Sequence, residues 1–292
     1  MKDTNKNPKR IYDTSSITME LERPLLEAKL QNMEEDNQEY NNDKKTINLD
    51  RIKKIIKYTL IALIIGIFIF FIYANKTYKP QELAHLSLIS DNYVDVSKDK
   101  FITFTPKENK VTKGLILYPG AKVDIESYAP LAKNIAKNGY KVVIVNATLN
   151  LPIFSPNKAK EVINEHKDIK TWIVGGHSLG GTAAAKFATE NKDLISGVIF
   201  LASYPSNNEL ISSNMEVLSI WGSKDGVLNF KKLIEAKQKL PIDATYVEIE
   251  GGNHAQFGDY GKQNGDNEAV ISQEKQLQIT SKSIIEFLNT IK

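Results

Sequence analysis

The sequence predicts an α/β fold, with a mostly parallel sheet covered by helices on both faces, preceded by one transmembrane helix. Three observations predict it. An uncharged apolar run occupies residues 58–74. After that run, short strand-like apolar segments alternate with amphipathic helical patterns. The strand-like segments are continuously apolar, which is typical of parallel strands buried between two layers of helices.

Composition excludes several classes of function. The chain has 292 residues and a net charge of +3, and no basic stripe interleaved with aromatic residues suggests nucleic-acid binding. It contains no cysteine, which removes disulfides, thiolate metal sites and a cysteine nucleophile. Its four histidines show no spacing typical of a metal site. We therefore expect no metal, no cofactor and no nucleic-acid partner.

Residues 1–54 form a polar arm rich in Asn, Glu and Lys and poor in aromatic residues. This composition favours disorder because it offers too little apolar surface to bury. A short helix over residues 17–33 is compatible with the pattern if Pro24 lies in its first turns. The arm shows no motif that points to a function or to a protein partner.

Residues 55–74 are predicted to form the transmembrane helix. Twenty residues at about 1.5 Å each span about 30 Å, the thickness of a bilayer core. A buried core helix is one alternative, but no polar face interrupts the run. A cleaved signal peptide is another, but a long arm precedes the run and no small-x-small cleavage site follows it.

Basic residues flank the predicted span unequally. Those on the N-terminal side are Lys44, Lys45, Arg51, Lys53, Lys54 and Lys57, whereas only Lys76 and Lys79 follow closely. The positive-inside rule then places the N-terminus in the cytoplasm and residues 75–292 outside. The predicted location is the cell membrane, in a single pass.

The outer domain, residues 75–292, supplies the strands and helices of the α/β fold. Its strand-like runs lie at 93–96, 101–105, 114–118, 141–147, 171–176, 197–203, 216–222 and 245–250. Its helical patterns lie at 126–139, 155–166, 182–190, 229–239 and 272–291. Gly139 marks the stop of the first helix, and Ser155-Pro156 marks the start of the second.

A serine motif follows the strand-like run at 171–176. Ligands in parallel sheets bind at the carboxyl ends of strands, and here the chain reads Gly176-His177-Ser178-Leu179-Gly180. The pattern G-x-S-x-G is typical of a nucleophile elbow, a sharp strand-to-helix turn that exposes the serine Oγ. The N–H of Leu179, at the start of the following helix, can donate to an oxyanion. The alternative is that Ser178 only caps that helix.

A catalytic serine needs a base, and the base needs an orienting acid. Asp225 follows the run at 216–222, and His254 follows the run at 245–250. As alternatives, Asp225 is a turn residue in Lys-Asp-Gly, His254 is a polar loop residue, or Asp259 is the acid. Asp259 follows the histidine, whereas Ser, Asp, His is the chain order of α/β-hydrolases. Asp225 is therefore the predicted acid and His254 the predicted base.

The outer domain resembles the α/β-hydrolases, and most closely a compact bacterial subgroup of the fold-5 type. The matching stretches are YPGAKVDIESYAPLA, GGHSLGG, LASYP, WGSKDG and GGNHAQFGDYGKQNGDNEA, spread over roughly residues 110–290. The resemblance implies a second oxyanion donor in Tyr118-Pro119-Gly120-Ala121, where the N–H of Ala121 is the candidate. Proline stands there in place of the histidine of the common His-Gly-x pattern.

The resemblance and the three residues together predict a serine carboxylesterase or lipase-like hydrolase acting on small or lipid-like esters. An amidase or peptidase using the same residues, and a non-enzymatic binding domain, are the alternatives. Lys122, Tyr204 and Gln256 follow strand ends and either bind substrate or brace loops. The short connection between the runs at 197–203 and 216–222 excludes a large lid, and the apolar loop 147–155 is expected to border the site.

Overall fold

The computed structural model describes residues 23–35, 49–107 and 111–292. They fall into two units, one up to Gly66 and one from Ile67 onward. In the first unit, residues 23–35 form a helix (α1) in which Pro24 is the second residue, where its missing N–H costs no helical hydrogen bond. The predicted disorder of the rest of the arm, 1–22 and 36–48, lies outside the described residues.

Helix α2, Leu49–Asn75, contains the whole predicted span and begins six residues before it. Asp50 lies in its first turn, where a carboxylate stabilises the positive end of the helix dipole. Among the described residues it is the one helix long and apolar enough to cross a membrane by length and composition, and its apolar stretch is not buried by protein.

Eight strands form a single sheet in the order β1-β2-β4-β3-β5-β6-β7-β8. The strands are β1 (Val94–Lys98), β2 (Ile102–Pro106), β3 (Lys113–Tyr118), β4 (Lys141–Ile144), β5 (Thr171–His177), β6 (Gly197–Leu201), β7 (Glu216–Gly222) and β8 (Thr245–Ile249). Strands β1 and β2 are antiparallel to their neighbours, and β3 to β8 are parallel. The predicted mostly parallel sheet is confirmed.

Helices cover both faces of this sheet. They are α3 (Glu82–Ser87), α4 (Ala129–Ala136), α5 (Lys158–Glu165), α6 (Leu179–Glu190), α7 (Phe230–Ala236) and α8 (Gln273–Thr290). Leu115 and Leu117 of β3 pack with α4 and α8 on one face, whereas Ile116 packs with α5 and α6 on the other. This alternation follows from the two-residue period of a strand, so each parallel strand contributes to two cores.

Several local features differ from the predictions. Helix α5 begins at Lys158 rather than at Ser155, because the Ser155 hydroxyl accepts the Thr148 N–H and donates to the Thr148 hydroxyl instead of capping a helix. Strand β4 ends at Ile144, three residues earlier than predicted. The short helix α3 was not predicted, since six residues carry too little periodicity to reveal it.

Candidate active site

The carboxyl edge of the sheet carries the three predicted catalytic residues. Ser178 is the single residue between β5 and α6, Asp225 follows β7 and His254 follows β8. In the sheet, β7 and β8 are adjacent and only β6 lies between β5 and β7, so the loops after these three strands meet at one edge. Three residues far apart in the chain are thereby brought to one place.

Ser178 occupies a strained turn, with φ 53° and ψ −124°. A serine at positive φ is uncommon, and such backbone strain is typical of functional sites. Its side chain accepts no hydrogen bond from the first turn of α6, so the alternative that Ser178 serves only as a helix cap is wrong. Its N–H donates to the Leu201 carbonyl of β6 at 2.8 Å, which fixes the turn on the sheet.

The glycines that flank Ser178 make the turn possible. A Cβ on Gly176 would lie 2.3 Å from the carbonyl carbon of Gly180, and one on Gly180 would lie 2.3 Å from the Pro119 oxygen. Both neighbours are backbone atoms, which cannot rotate away. Strand β5 and helix α6 therefore approach each other, and the Pro119 loop, more closely than any side chain allows.

We expect Gly180→Ala to lose activity and stability together. The new methyl group meets the Pro119 and Tyr118 carbonyl oxygens at 2.3 and 2.5 Å, so the elbow or the loop must move. Overpacking of this kind typically costs roughly 1–3 kcal/mol. Thermal unfolding and p-nitrophenyl butyrate hydrolysis measure both effects. Gly66→Ala is the control because no atom lies within 4 Å of its Cβ, and equal behaviour of the two variants would contradict this prediction.

Asp225 and His254 form a buried pair. His254 Nδ1 lies 2.8 Å from Asp225 Oδ2, and the two side chains are 0% and 1% exposed. The other carboxylate oxygen, Oδ1, accepts the N–H groups of Val227 and Leu228 at 2.9 and 2.7 Å. The carboxylate is thus held on both oxygens, and its orientation fixes the imidazole ring.

His254 Nε2 is buried and has no hydrogen-bond partner among the described residues. The His254 ring and Ser178 line one cavity of about 210 Å³. Its other lining residues are Leu179, Thr182, Ala202, Ser203, Tyr204, Val227, Leu228 and Asn229. Catalytic hydrogen bonds are often long in the absence of substrate, so the free Nε2 is compatible with a base. In the described ranges, no cluster of three or more His, Asp or Glu side chains is placed to hold a metal ion.

Asp259, the alternative acid, is engaged elsewhere. Its Oδ2 accepts the Ala84 N–H of α3 at 2.7 Å, and its own N–H donates to the Ser127 carbonyl. The carboxylate bonded to the His254 ring is that of Asp225.

His177, within the elbow, is linked to the loop that follows β3. The Tyr128 hydroxyl accepts the Gly120 N–H at 2.8 Å and lies 2.9 Å from His177 Nδ1. This hydroxyl therefore joins the Gly120 N–H of the loop to the His177 ring of the elbow. Burial, followed by the nearby His254 ring, lowers the pKa of His177 well below its usual value. His177 is therefore a neutral structural link.

The two predicted oxyanion donors are unengaged. Around Ala121, the N–H of Gly120 donates to Tyr128 and that of Lys122 donates to the Asn150 carbonyl at 2.8 Å. In the described part of the chain, the N–H groups of Ala121 and Leu179 donate to no protein acceptor. Leu179 is the first residue of α6, where free N–H groups favour negative charge.

The predicted substrate-binding residues separate into different places. Tyr204 lines the cavity of Ser178. The Lys122 ammonium instead lies 3.4 Å from the centre of the Tyr73 ring, and the Gln256 amide donates to the Ile271 carbonyl. Neither of these two lines the cavity, and no residue of the loop 147–155 does.

Two residues at this edge were not predicted from sequence. The Ser203 hydroxyl donates to the Ser178 carbonyl at 2.6 Å and so fixes the elbow. Asp266 accepts the N–H groups of Gly226 and Ala255, which joins the acid loop to the histidine loop. Ser203 is the second residue after β6, so inspection of the strand ends could have found it. The local sequence Gly-Asp-Asn does not distinguish Asp266 from an ordinary turn residue.

Tyr128→Phe tests the link between the elbow and the Gly120 loop. It removes the hydroxyl and leaves a buried N–H and a buried imidazole nitrogen unpaired, which typically destabilises by about 1–3 kcal/mol. We expect kcat for ester hydrolysis to fall roughly 10-fold or more with little change in KM, since the loop carries Ala121, the predicted oxyanion donor. Tyr140→Phe is the control, because its hydroxyl bonds Asn289 on α8. An unchanged kcat in Tyr128→Phe would contradict this role.

Comparison with known proteins agrees with the geometry. The model of the alpha/beta hydrolase family matches residues 114–278. The chain belongs to this family. Curated relatives include Cutinase 2 of Thermobifida cellulosilytica and Cutinase cut1 of Thermobifida fusca, each 25% identical over 167 residues. The match covers 52% of this hydrolase-family chain and 63% and 52% of the two cutinases, less than two thirds of their length.

Solved structures show the same fold. Est1E from Butyrivibrio proteoclasticus superposes with a TM-score of 0.51 at 11% identity and covers 68% of this chain and 98% of its own. An esterase domain from Rhodothermus marinus superposes with a TM-score of 0.52 at 11% identity. This match covers 65% of this chain and 92% of the esterase domain. At this identity the likeness concerns the fold alone.

Proposed function

We propose that the protein is a membrane-anchored serine hydrolase that cleaves carboxylic esters through Ser178, His254 and Asp225. One observation carries the proposal: a buried His254–Asp225 pair presents an unpartnered Nε2 at the cavity that Ser178 lines. The cutinase relatives, named for an ester-cleaving activity, support the ester over the amide.

In the proposed mechanism, Ser178 Oγ attacks the ester carbonyl carbon while His254 Nε2 takes the hydroxyl proton. Asp225 holds the Nδ1–H and stabilises the imidazolium that forms. The carbonyl oxygen becomes an oxyanion that the N–H groups of Leu179 and Ala121 stabilise. His254 then gives its proton to the leaving alkoxide, which leaves an acyl group on Ser178. Water attacks that acyl group with His254 again as base, which releases the acid and restores the serine.

Substrate class is tested by p-nitrophenyl esters of graded acyl length beside p-nitroanilides of the same acyl groups. We expect ester hydrolysis to exceed anilide hydrolysis at every chain length, because a phenolate leaves more readily than an anilide nitrogen, which His254 must protonate as it departs. Faster cleavage of the anilides would favour the amidase or peptidase alternative.

Helix α2 is proposed to be the membrane anchor, in the orientation that the flanking basic residues predict. The N-terminus then lies in the cytoplasm and residues 75–292 lie outside. Reporter fusions at either end test this topology. A cytoplasmic reporter signal at the C-terminus, or recovery of the full chain in the soluble fraction, would contradict it.

A further inference from the structure

We propose that the domain rests on the lipid surface beside the C-terminal end of α2, with Ile153 and Phe154 entering that surface. The site would then take ester substrates dissolved in the bilayer rather than in water. This inference rests on the proposed function, since it needs both an anchored α2 and an esterase site. The partner proposed for this apolar surface is a lipid bilayer.

The first support is the absence of a free linker after α2. Ala74, in the last turn of the helix, is buried, and its carbonyl accepts the Asn150 side-chain amide at 3.1 Å. Only Lys76 and Thr77 follow the helix before Tyr78 pairs with the Gly120 loop. The Tyr78 N–H donates to the Lys122 carbonyl at 2.8 Å. The last turn of α2 is thus bonded to the loop 147–155, and the segment directly after the helix is bonded to the loop that carries Ala121.

The same segment also contacts the loop that carries His254. The Tyr78 and Tyr260 rings lie 5.6 Å apart, and the Tyr78 hydroxyl accepts the Asn264 N–H at 3.1 Å. Farther on, the Gln81 N–H donates to the Asp259 carbonyl. Two loops of the candidate site are therefore fastened to the residues that directly follow α2, which keeps the site close to the membrane surface if α2 is embedded.

The second support is the exposed apolar surface of the loop that contacts the end of α2. Ile153 and Phe154 are 45% and 55% exposed on the 3-10 turn Pro152–Phe154. Asn150, in the same loop, contacts both the Ala74 carbonyl and the Lys122 N–H. Exposed neighbouring apolar residues are unfavourable in water and favourable in the interfacial layer of a bilayer.

The third support is the residue types around the helix end. Tyr73 is exposed and its ring is covered by the Lys122 ammonium at 3.4 Å. Lys76 and Lys122 line a hollow with Tyr73 and Tyr78. Tyrosine and lysine are enriched at the headgroup level of membranes, where the ammonium groups meet lipid phosphates. From residue 55, a rise of about 1.5 Å per residue puts Tyr73 near the far edge of a bilayer core.

Site-specific fluorescence tests the insertion. The chain has no cysteine, so Phe154→Cys can be labelled with an environment-sensitive dye at one site without background. Ile242→Cys is the control. Ile242 is fully exposed and precedes β8, so it lies at the amino ends of the parallel strands, whereas the candidate site lies at their carboxyl ends. With the full chain in phosphatidylcholine vesicles, we expect the emission of the dye at position 154 to shift to the blue and to be quenched by spin-labelled lipid. The dye at position 242 should show neither effect. No quenching at 154, or equal quenching at both sites, would overturn the proposal.

Kinetics test the substrate class. The double variant Ile153→Ser/Phe154→Ser is compared with Leu194→Ser/Ile242→Ser, whose residues are also exposed but precede strands β6 and β8. We expect the first to hydrolyse a long-chain p-nitrophenyl ester in vesicles about 5-fold more slowly, with soluble p-nitrophenyl acetate within about 2-fold. If the Ile153→Ser/Phe154→Ser variant kept the wild-type rate on the ester in vesicles, or lost activity equally on both substrates, the proposal would be overturned. Ser178-dependent acetate hydrolysis, measured separately, reports on the proposed function alone.

Discussion

Replacing Ser178 by alanine is expected to reduce ester hydrolysis by about 10⁴-fold or more, because the nucleophile of the acyl transfer is lost. The fold should persist, since the serine side chain caps no N–H of α6. Alanine at φ 53° keeps the same backbone strain as serine. Steady-state rates on p-nitrophenyl butyrate, with circular dichroism to monitor folding, measure the effect.

Ser272→Ala is a matched control for this substitution. The Ser272 hydroxyl caps α8 by accepting the Lys275 N–H at 3.2 Å, away from the cavity. We expect it to lose about 1 kcal/mol of stability while activity is retained. If Ser178→Ala kept the wild-type rate, the protein would be a non-enzymatic member of its family or an enzyme with another nucleophile.

Replacing Asp225 by asparagine is expected to lower kcat about 10⁴-fold. The amide oxygen can still accept the Val227 and Leu228 N–H groups that the carboxylate accepts now, so the loop keeps its shape. The amide NH₂ then faces His254 Nδ1, which favours the wrong tautomer and leaves the imidazolium without a counter-charge. Rate measurements beside thermal unfolding separate this loss from misfolding.

Asp259→Asn is the control for Asp225→Asn. Asp259 is also a buried aspartate of this region, but its carboxylate bonds the Ala84 N–H rather than His254. We expect its kcat to stay within about 10-fold of the wild type, since only a bond to α3 is weakened. Similar losses in the two variants would mean that Asp225 has no special role.

The succession of strands along the chain and the positions of Ser178, Asp225 and His254 just after strands could be predicted because their signals are local. A continuous apolar run followed by Gly-x-Ser-x-Gly specifies a strand, a turn and a helix within a few residues. Asp225 and His254 each stand at the end of such a run, and parallel pairing brings those ends together. Glycine is required at 176 and 180 because backbone atoms pack closely against both positions.

What could not be predicted depends on contacts between distant parts of the chain. The Tyr128–His177 link joins residues 49 positions apart, and Asp266 is bonded to Gly226 across 40 positions. The ammonium of Lys122 was an open candidate for substrate binding, yet it lies over Tyr73 at the end of α2. No periodicity encodes the direction of a long side chain in a turn, so these features appear only once the sheet has formed.

The proposed mechanism requires Ser178 to be an activated nucleophile, which fluorophosphonate labelling of the full chain can measure. Such probes react covalently with serine hydroxyls that a neighbouring base activates. Peptide mapping by mass spectrometry is predicted to find one adduct, on Ser178, that disappears in Ser178→Ala and forms more slowly in Asp225→Asn. If the wild type did not react, or if Ser178→Ala were labelled to the same extent, Ser178 would not be the activated nucleophile.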